Sequence, residues 1–111
     1  MRRDYNIYLN DILDAIKRIE EYTAGLSLAD FKSSGLKQDA VIRNLIVIGE
    51  AAKSLPESAR PKGKDVDWNK IAGLRDIVVH QYFNVDLETI WSIVTSNIQP
   101  LKKLVAKHLG K

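Results

Sequence analysis

One short segment in the second half of the chain concentrates four side chains that can do chemistry. Arg75, Asp76, His80 and Tyr82 supply a guanidinium, a carboxylate, an imidazole and a phenol within eight residues of an otherwise apolar stretch. An imidazole transfers protons near neutral pH, and an always charged guanidinium can grip a phosphoryl group. The residue types favour acid–base chemistry on an anionic substrate. The alternative is purely structural: two surface charges, a helix-end histidine and a core tyrosine ring.

The spacing of these residues limits how one helix can use them. At about 100° per residue, Asp76 and His80 share a helix face, so the carboxylate can orient the imidazole. Arg75 and His80 lie about 140° apart around the axis, whereas Arg75 and Tyr82 are nearly aligned. One straight helix therefore cannot aim Arg75 and His80 at the same atom. Either the helix bends near its end, or two copies of the chain build the site across a two-fold axis.

The elements that position this segment are predicted to be helices. Apolar residues recur at three- and four-residue spacings in four stretches that begin at Tyr8, Val41, Trp68 and Leu87. The third stretch runs through Gly73 to Tyr82, and no pattern typical of a strand is present. We therefore expect an all-α domain of residues 1–111, an up-down bundle of four main helices plus a short extra helix.

Several residues mark where these helices begin and end. Asp4 and Asp86 suit helix N-caps, and Gly25 follows the first helix. The segment Ser27-Leu28-Ala29-Asp30 predicts the short extra helix, because it has the form of a capping box. Pro100 lies inside the last apolar stripe, so we expect a kink or break near residues 96–99.

Composition narrows the class of protein. The 111 residues are 45% hydrophobic and 28% charged, as in an ordinary globular domain. The absence of cysteine excludes disulfides, thiolate metal sites and cysteine nucleophiles. The sequence offers neither a membrane-spanning apolar run nor a signal-peptide pattern, so we expect a cytoplasmic protein without a membrane partner.

Positive charge is concentrated in the second half of the chain. Arg60, Lys62 and Lys64 fall within five residues, and the stretch from Pro100 to Lys111 has four lysines and no acid. Both segments are candidate phosphate-binding tracks, with Arg60, Lys62 and Lys64 as possible RNA-binding residues. Each can equally be a solvated charged surface.

The motif and its flanks resemble the HEPN superfamily, and most closely its HepT-like toxin branch. That branch carries Arg, four residues, His, one residue and Tyr, which here is Arg75-x4-His80-x-Tyr82. The run from Asp39 to Leu45, followed by Ile48-Gly49-Glu50-Ala51, is similar to the family's second long helix. The segment Trp68-x2-Ile71-x-Gly73-Leu74-Arg75 is similar to its approach to the motif. One departure is Asp76, where relatives commonly carry Asn.

The resemblance implies a metal-independent endoribonuclease toxin that cleaves single-stranded RNA or tRNA and needs no cofactor. It gives Arg75 and His80 the catalytic roles. Asp76 has a supporting role by its helix position, from which its carboxylate can orient His80. It also implies a homodimer, and an MntA-like nucleotidyltransferase antitoxin that attaches AMP to Tyr82. Two other functions stay open: a non-catalytic HEPN subunit that binds a nucleotide or the transferase, and a plain dimeric interaction module. Retention of Arg75, His80 and Tyr82 favours the ribonuclease, whereas Asp76 is the feature that fits the non-catalytic subunit.

Overall fold

The structure, a computed structural model, describes residues 4–80 and 86–111, with residues 79 and 80 described by their backbone alone. Within these ranges all regular structure is helical, which confirms the predicted all-α class. The helices are α1 Asn6–Thr23, α2 Leu28–Lys32, α3 Gly35–Lys53, α4 Trp68–Ala72, α5 Leu74–His80, α6 Leu87–Ser92 and α7 Ile98–His108, with a 3-10 turn at Glu57–Ala59 and a π-helical turn at Ile93–Asn97. None of these described helices has an apolar stretch long enough to cross a bilayer.

Most helix ends follow the predicted local signals. Asp4 is the exception: Tyr5 takes the N-cap position of α1 without a side-chain cap, and the Asp4 carboxylate accepts from the Asn6 N–H at 3.0 Å just before the helix. The Ser27 hydroxyl accepts from the Asp30 backbone N–H at 3.1 Å, and the Asp30 carboxylate accepts from the Ser27 N–H at 3.0 Å. This capping box starts α2 and lowers the pKa of Asp30, because its carboxylate is stabilised by hydrogen bonds from the Ser27 backbone and side chain. Gly25 follows α1 with a φ of 75°, a conformation that glycine adopts without strain.

Helix α3 is the central element of the fold, because α1, α2, α4 and α5 all pack against it. Its apolar stripe is fully buried, with an exposed fraction of 0% for Val41, Leu45, Ile48 and Ala52, and Leu55 just past the end of the helix is buried as well. The stripe of α1 faces it, and α7 packs on α1 through the same core cluster. Three apolar residues of α3 that flank this stripe are only half-buried: Ile42, Ile46 and Val47. One side of α3 thus stays partly open.

The third predicted helix is divided at Gly73. Helix α4 ends there, with the Gly73 N–H directed at the carbonyls of Asn69 and Lys70, and α5 begins at the next residue. Glycine costs about 1 kcal/mol relative to alanine inside a helix, so a helix boundary at this position is physically reasonable. The apolar periodicity alone did not reveal the boundary, because Trp68, Ile71, Leu74 and Val78 are buried on both sides of it.

The last predicted helix changes pitch before Pro100. A π-helical turn at Ile93–Asn97 lies between α6 and α7, and Pro100 is the third residue of α7. Proline has no N–H to donate and its ring clashes with the preceding turn, so a regular α-helix is disfavoured there. The predicted irregularity is therefore present, as a wider helical turn with its centre a few residues earlier than residues 96–99.

Gly49 allows α3 and α5 to approach closely. A Cβ atom added at Gly49 would lie 2.9 Å from the Arg75 backbone nitrogen and 3.4 Å from its Cβ. The nearest atom belongs to backbone, so it cannot rotate away as the end of a flexible side chain can. The backbone position of Arg75 thus depends on the missing side chain at residue 49.

We expect Gly49→Ala to lower the free energy of unfolding by up to about 2 kcal/mol. The overpacking penalty of about 1–3 kcal/mol is reduced by the helix-propensity gain of about 1 kcal/mol from replacing glycine. Gly35→Ala is the matched control, since a Cβ atom there meets no atom within 4 Å. That variant should be neutral or slightly stabilised. Urea unfolding measures both, and equal stability of the two variants would contradict the close approach.

Candidate active site

Helix α5 presents Arg75 and Asp76 on its outer side. Leu74 and Val78 are buried against the core, whereas Arg75, Asp76 and Ile77 are exposed. The burial of Leu74 and Val78, four residues apart, fixes the rotation of the helix about its axis. The first two residues of the candidate motif therefore face solvent because the apolar neighbours face inward.

Arg75 forms an ion pair with Glu50 of α3. The Arg75 Nε and the Glu50 Oε1 lie 2.8 Å apart, with the two side chains 46% and 50% exposed. A pair this exposed contributes only about 0–1 kcal/mol to stability. Its more useful effect is geometric. A guanidinium held against a carboxylate is restricted in position, while its other N–H donors can still bind a phosphoryl oxygen.

Glu50 is a site residue that the sequence reasoning missed. Glu50 and Arg75 lie 25 positions apart, and nothing in one sequence pairs residues at such a separation. The available signal was the run Ile48-Gly49-Glu50, in which a small residue precedes an acid on the most buried helix. Gly49 lets α5 approach α3 closely. The next residue of α3, Glu50, then pairs with Arg75 of α5.

His80 is the last residue of α5, and its side chain lies outside the described part of the structure, as does all of Tyr82. Helix α5 is α-helical from Leu74 to His80, so Arg75 and His80 remain about 140° apart around its axis. Asp76 lies one turn before His80 on the same helix. The helix geometry does not bring Arg75 and His80 to one side within the described segment.

Asp86 starts α6 directly after the segment that carries Tyr82. Its carboxylate accepts from the Thr89 hydroxyl at 2.8 Å and from the backbone N–H groups of Glu88 and Thr89 at 3.1 and 3.3 Å. These hydrogen bonds, the one from the Thr89 hydroxyl first, lower the pKa of Asp86. The predicted cap is confirmed, and it sets the start of α6.

The three basic residues of the loop before α4, which we call the basic loop, differ in what they contact. Arg60 donates to the Ala52 carbonyl at 3.0 Å and to the Asn69 side-chain oxygen at 3.4 Å, so it ties the loop to α3 and α4. Lys62 lies 3.7 Å from Glu57, and both of these side chains are largely exposed. Lys64 is exposed. Within the described ranges, no group of three or more His, Cys, Asp or Glu side chains is placed to hold a metal ion.

Comparison with known proteins adds the family. The model of the family described as "Ribonuclease HepT-like" matches residues 12–108, a range that includes Arg75, His80 and Tyr82. A Thermococcus cleftensis protein named "Probable ribonuclease HepT" is 39% identical over 102 residues, which are 92% of this chain and 93% of that protein. A Caldanaerobacter subterraneus protein named "Putative RNase" is 38% identical over 104 residues, 94% of this chain and 93% of that one.

A longer relative matches as well. The Methanocaldococcus jannaschii protein named "Gamma-glutamylcyclotransferase and putative RNase" is 46% identical over 107 residues. The match covers 96% of this chain but only 48% of that protein, so the chain spans about half of its length. No solved structure matches the chain. The family model and the two relatives of similar length agree, and the chain belongs to the HepT-like ribonuclease family.

Proposed function

We propose that this chain is a metal-independent endoribonuclease toxin that cleaves single-stranded RNA, tRNA included, in the cytoplasm. The observation that carries the proposal is the position of Arg75 on the outer face of α5. Glu50 pairs with its guanidinium, and about half of the Arg75 side chain is exposed to solvent. The family membership supports a ribonuclease, and the relatives' names describe ribonucleases. An arginine fixed at one edge and accessible at the other is suited to bind a phosphodiester.

In the proposed reaction the ribose 2′-oxygen attacks the adjacent phosphorus, and the bond from phosphorus to the 5′-oxygen breaks. A base removes the 2′-hydroxyl proton and an acid returns a proton to the leaving 5′-oxygen, giving a cyclic phosphate and a 5′-hydroxyl. His80 serves as base or acid, because an imidazole exchanges protons near neutral pH. Arg75 offsets the negative charge that develops on the phosphoryl oxygens.

We propose a homodimer in which both copies contribute to each site. The regular helix from Leu74 to His80 keeps Arg75 and His80 about 140° apart on one copy, which supports a site shared across a two-fold axis. The exposed apolar residue Ile77 lies on α5 two residues after Arg75, and a groove between α1 and α3 is lined by Tyr8, Ile46 and Val47 beside Glu50. A second copy is the occupant that we assign to these apolar surfaces.

We expect RNA cleavage to survive excess chelator and to be lost in Arg75→Ala and in His80→Ala. Arg75→Ala should stay folded, because Arg75 is exposed and its ion pair adds little stability. Circular-dichroism melting curves check the fold of both variants. The measurement is cleavage of a labelled single-stranded RNA with and without chelator, with the 2′,3′-cyclic phosphate identified by mass. A requirement for added divalent metal would contradict the proposal, as would wild-type cleavage by His80→Ala.

Mixing the two inactive variants tests the shared site in the same assay. A heterodimer of Arg75→Ala with His80→Ala retains one site that has both an intact arginine and an intact histidine, if these come from different copies. Activity should then return to a fraction of the wild-type rate after subunit exchange. No recovery in a confirmed heterodimer would place both residues of a site on one copy.

We expect Glu50→Ala to lower kcat about 10- to 100-fold while the protein stays folded. Loss of the contact at 2.8 Å frees the guanidinium to move, and a displacement of about 1 Å can cost about 100-fold in rate. Glu50→Gln keeps the size of the side chain but removes its charge, so it should recover the rate only in part, because the ion pair with Arg75 is lost. Glu57→Ala is the control, because Glu57 pairs only loosely with Lys62. Wild-type kcat in Glu50→Ala would exclude a positioning role.

We further propose that an MntA-like nucleotidyltransferase antitoxin silences the chain by transferring AMP from ATP to the Tyr82 oxygen, which loses its proton as pyrophosphate leaves. The phosphate of the adduct would occupy Arg75 and add negative charge where RNA phosphate must bind. Tyr82→Phe removes only the acceptor oxygen, so this variant should cleave RNA and stay active in the presence of the antitoxin. Intact-mass analysis after co-expression is the measurement. An adduct that persists in Tyr82→Phe, or an unmodified wild-type chain, would contradict the mechanism.

A further inference from the structure

We infer that Lys64, Lys103 and Lys107 form one docking surface for the RNA backbone, separate from helix α5 and its Arg75. The inference rests on the proposed function, because it takes single-stranded RNA as the ligand. The three lysines line a single groove of about 220 Å³ between the loop that precedes α4 and the exposed side of α7. All three side chains are exposed, and the one carboxylate in the groove is Asp65. The groove therefore carries a positive excess.

The structure divides the lysines of the C-terminal segment into two pairs. Lys102 binds the Glu20 carboxylate of α1 at 2.9 Å, and Lys111 donates to the Asn10 side-chain oxygen at 2.8 Å. Those two cations hold α1 and the chain end together. Lys103 and Lys107 lie on the side of α7 that faces the basic loop, one turn apart. Their spacing of about 6 Å along the helix is comparable to the spacing of phosphates along a strand.

The loop that carries Lys64 is held in place from two directions. A Cβ atom at Gly63 would lie 3.2 Å from the Leu104 methyl groups, so the loop is seated tightly on α7. At its other side, the Trp68 indole donates to the Pro61 carbonyl at 2.6 Å, and Arg60 donates to the Ala52 carbonyl. A surface that is ordered before binding loses less entropy when the ligand arrives. These contacts bring together cations that lie about 40 positions apart in the sequence.

The charges around Arg75 on α5 are too balanced to attract RNA strongly, which is why we assign RNA docking to a separate surface. Among the described residues around Arg75, Glu50 pairs with it and the exposed Asp76 follows it, so these three side chains bring one cation and two carboxylates to the RNA. Long-range attraction of a polyanion needs a net positive field, which the lysine groove supplies. The large exposed apolar side chains of the described residues, Ile7, Leu36 and Ile77, do not line the groove. A membrane-inserting surface would carry such residues.

The test compares two triple variants that lose the same charge. The docking-surface variant is Lys64→Gln, Lys103→Gln and Lys107→Gln, and the control is Lys17→Gln, Arg18→Gln and Lys37→Gln on α1 and α3. Affinity for a 2′-O-methyl oligoribonucleotide, which lacks the attacking hydroxyl, is measured over a range of salt concentrations. The docking-surface variant should bind roughly tenfold more weakly. Its log–log salt slope should be flatter by about 2, since each phosphate contact on a single strand contributes about 0.7.

Cleavage of ordinary RNA separates docking from chemistry. The docking-surface variant should raise KM by a similar factor and leave kcat unchanged, because its lysines lie on other elements than Arg75 and Glu50. Equal effects of the two triple variants would overturn the inference, because net charge alone would then account for binding. Unchanged RNA affinity with lost binding to phosphatidylserine vesicles would overturn it too. A wild-type chain that neither binds nor cleaves RNA would instead overturn the proposed function.

Discussion

The close crossing of α3 and α5 at Gly49 is the constraint on which the rest of the site depends. A side chain at residue 49 would meet the Arg75 backbone at 2.9 Å, so the two helices can reach this separation only with glycine there. The next residue, Glu50, then reaches the Arg75 Nε. Backbone approach and side-chain pairing thus come from adjacent residues. The core holds this crossing rigid, because Ile48 and Ala52 of α3 and Leu74 of α5 are buried around it.

Some basic residues of the chain are paired within the fold, and others are exposed on its surface. Near the N-terminus, Glu20 on α1 receives Lys102, and Asn10 receives Lys111, so part of the lysine excess is used to close the fold. In the loop, Arg60 is likewise committed to backbone and amide oxygens. Three exposed lysines of the loop and the C-terminal segment, Lys64, Lys103 and Lys107, meet in one groove. A count of basic residues does not separate structural cations from exposed ones, whereas their contacts do.

Much of the fold could be predicted from the sequence, because amphipathic periodicity and capping residues act locally. The stripes of α1 and α3, the capping box at Ser27 and the cap at Asp86 were all predicted from residues within a few positions of each other. The division at Gly73 was not predicted, since burial continues across it. The pair of Glu50 with Arg75 was also not predicted. It is set by how two helices pack, and helix packing depends on contacts that no local pattern encodes.

A paired arginine is better suited to the transition state of the proposed reaction than to the bound substrate. A phosphodiester carries one negative charge, and a guanidinium that already shares its charge with Glu50 attracts it only weakly. As the 2′-oxygen attacks, more negative charge collects on the phosphoryl oxygens, and the same fixed donors interact with it more strongly. Binding that strengthens along the reaction coordinate raises kcat, whereas uniform binding lowers only KM. Because Glu50 weakens ground-state attraction and fixes the direction of Arg75, affinity for RNA has to come from cations elsewhere on the surface.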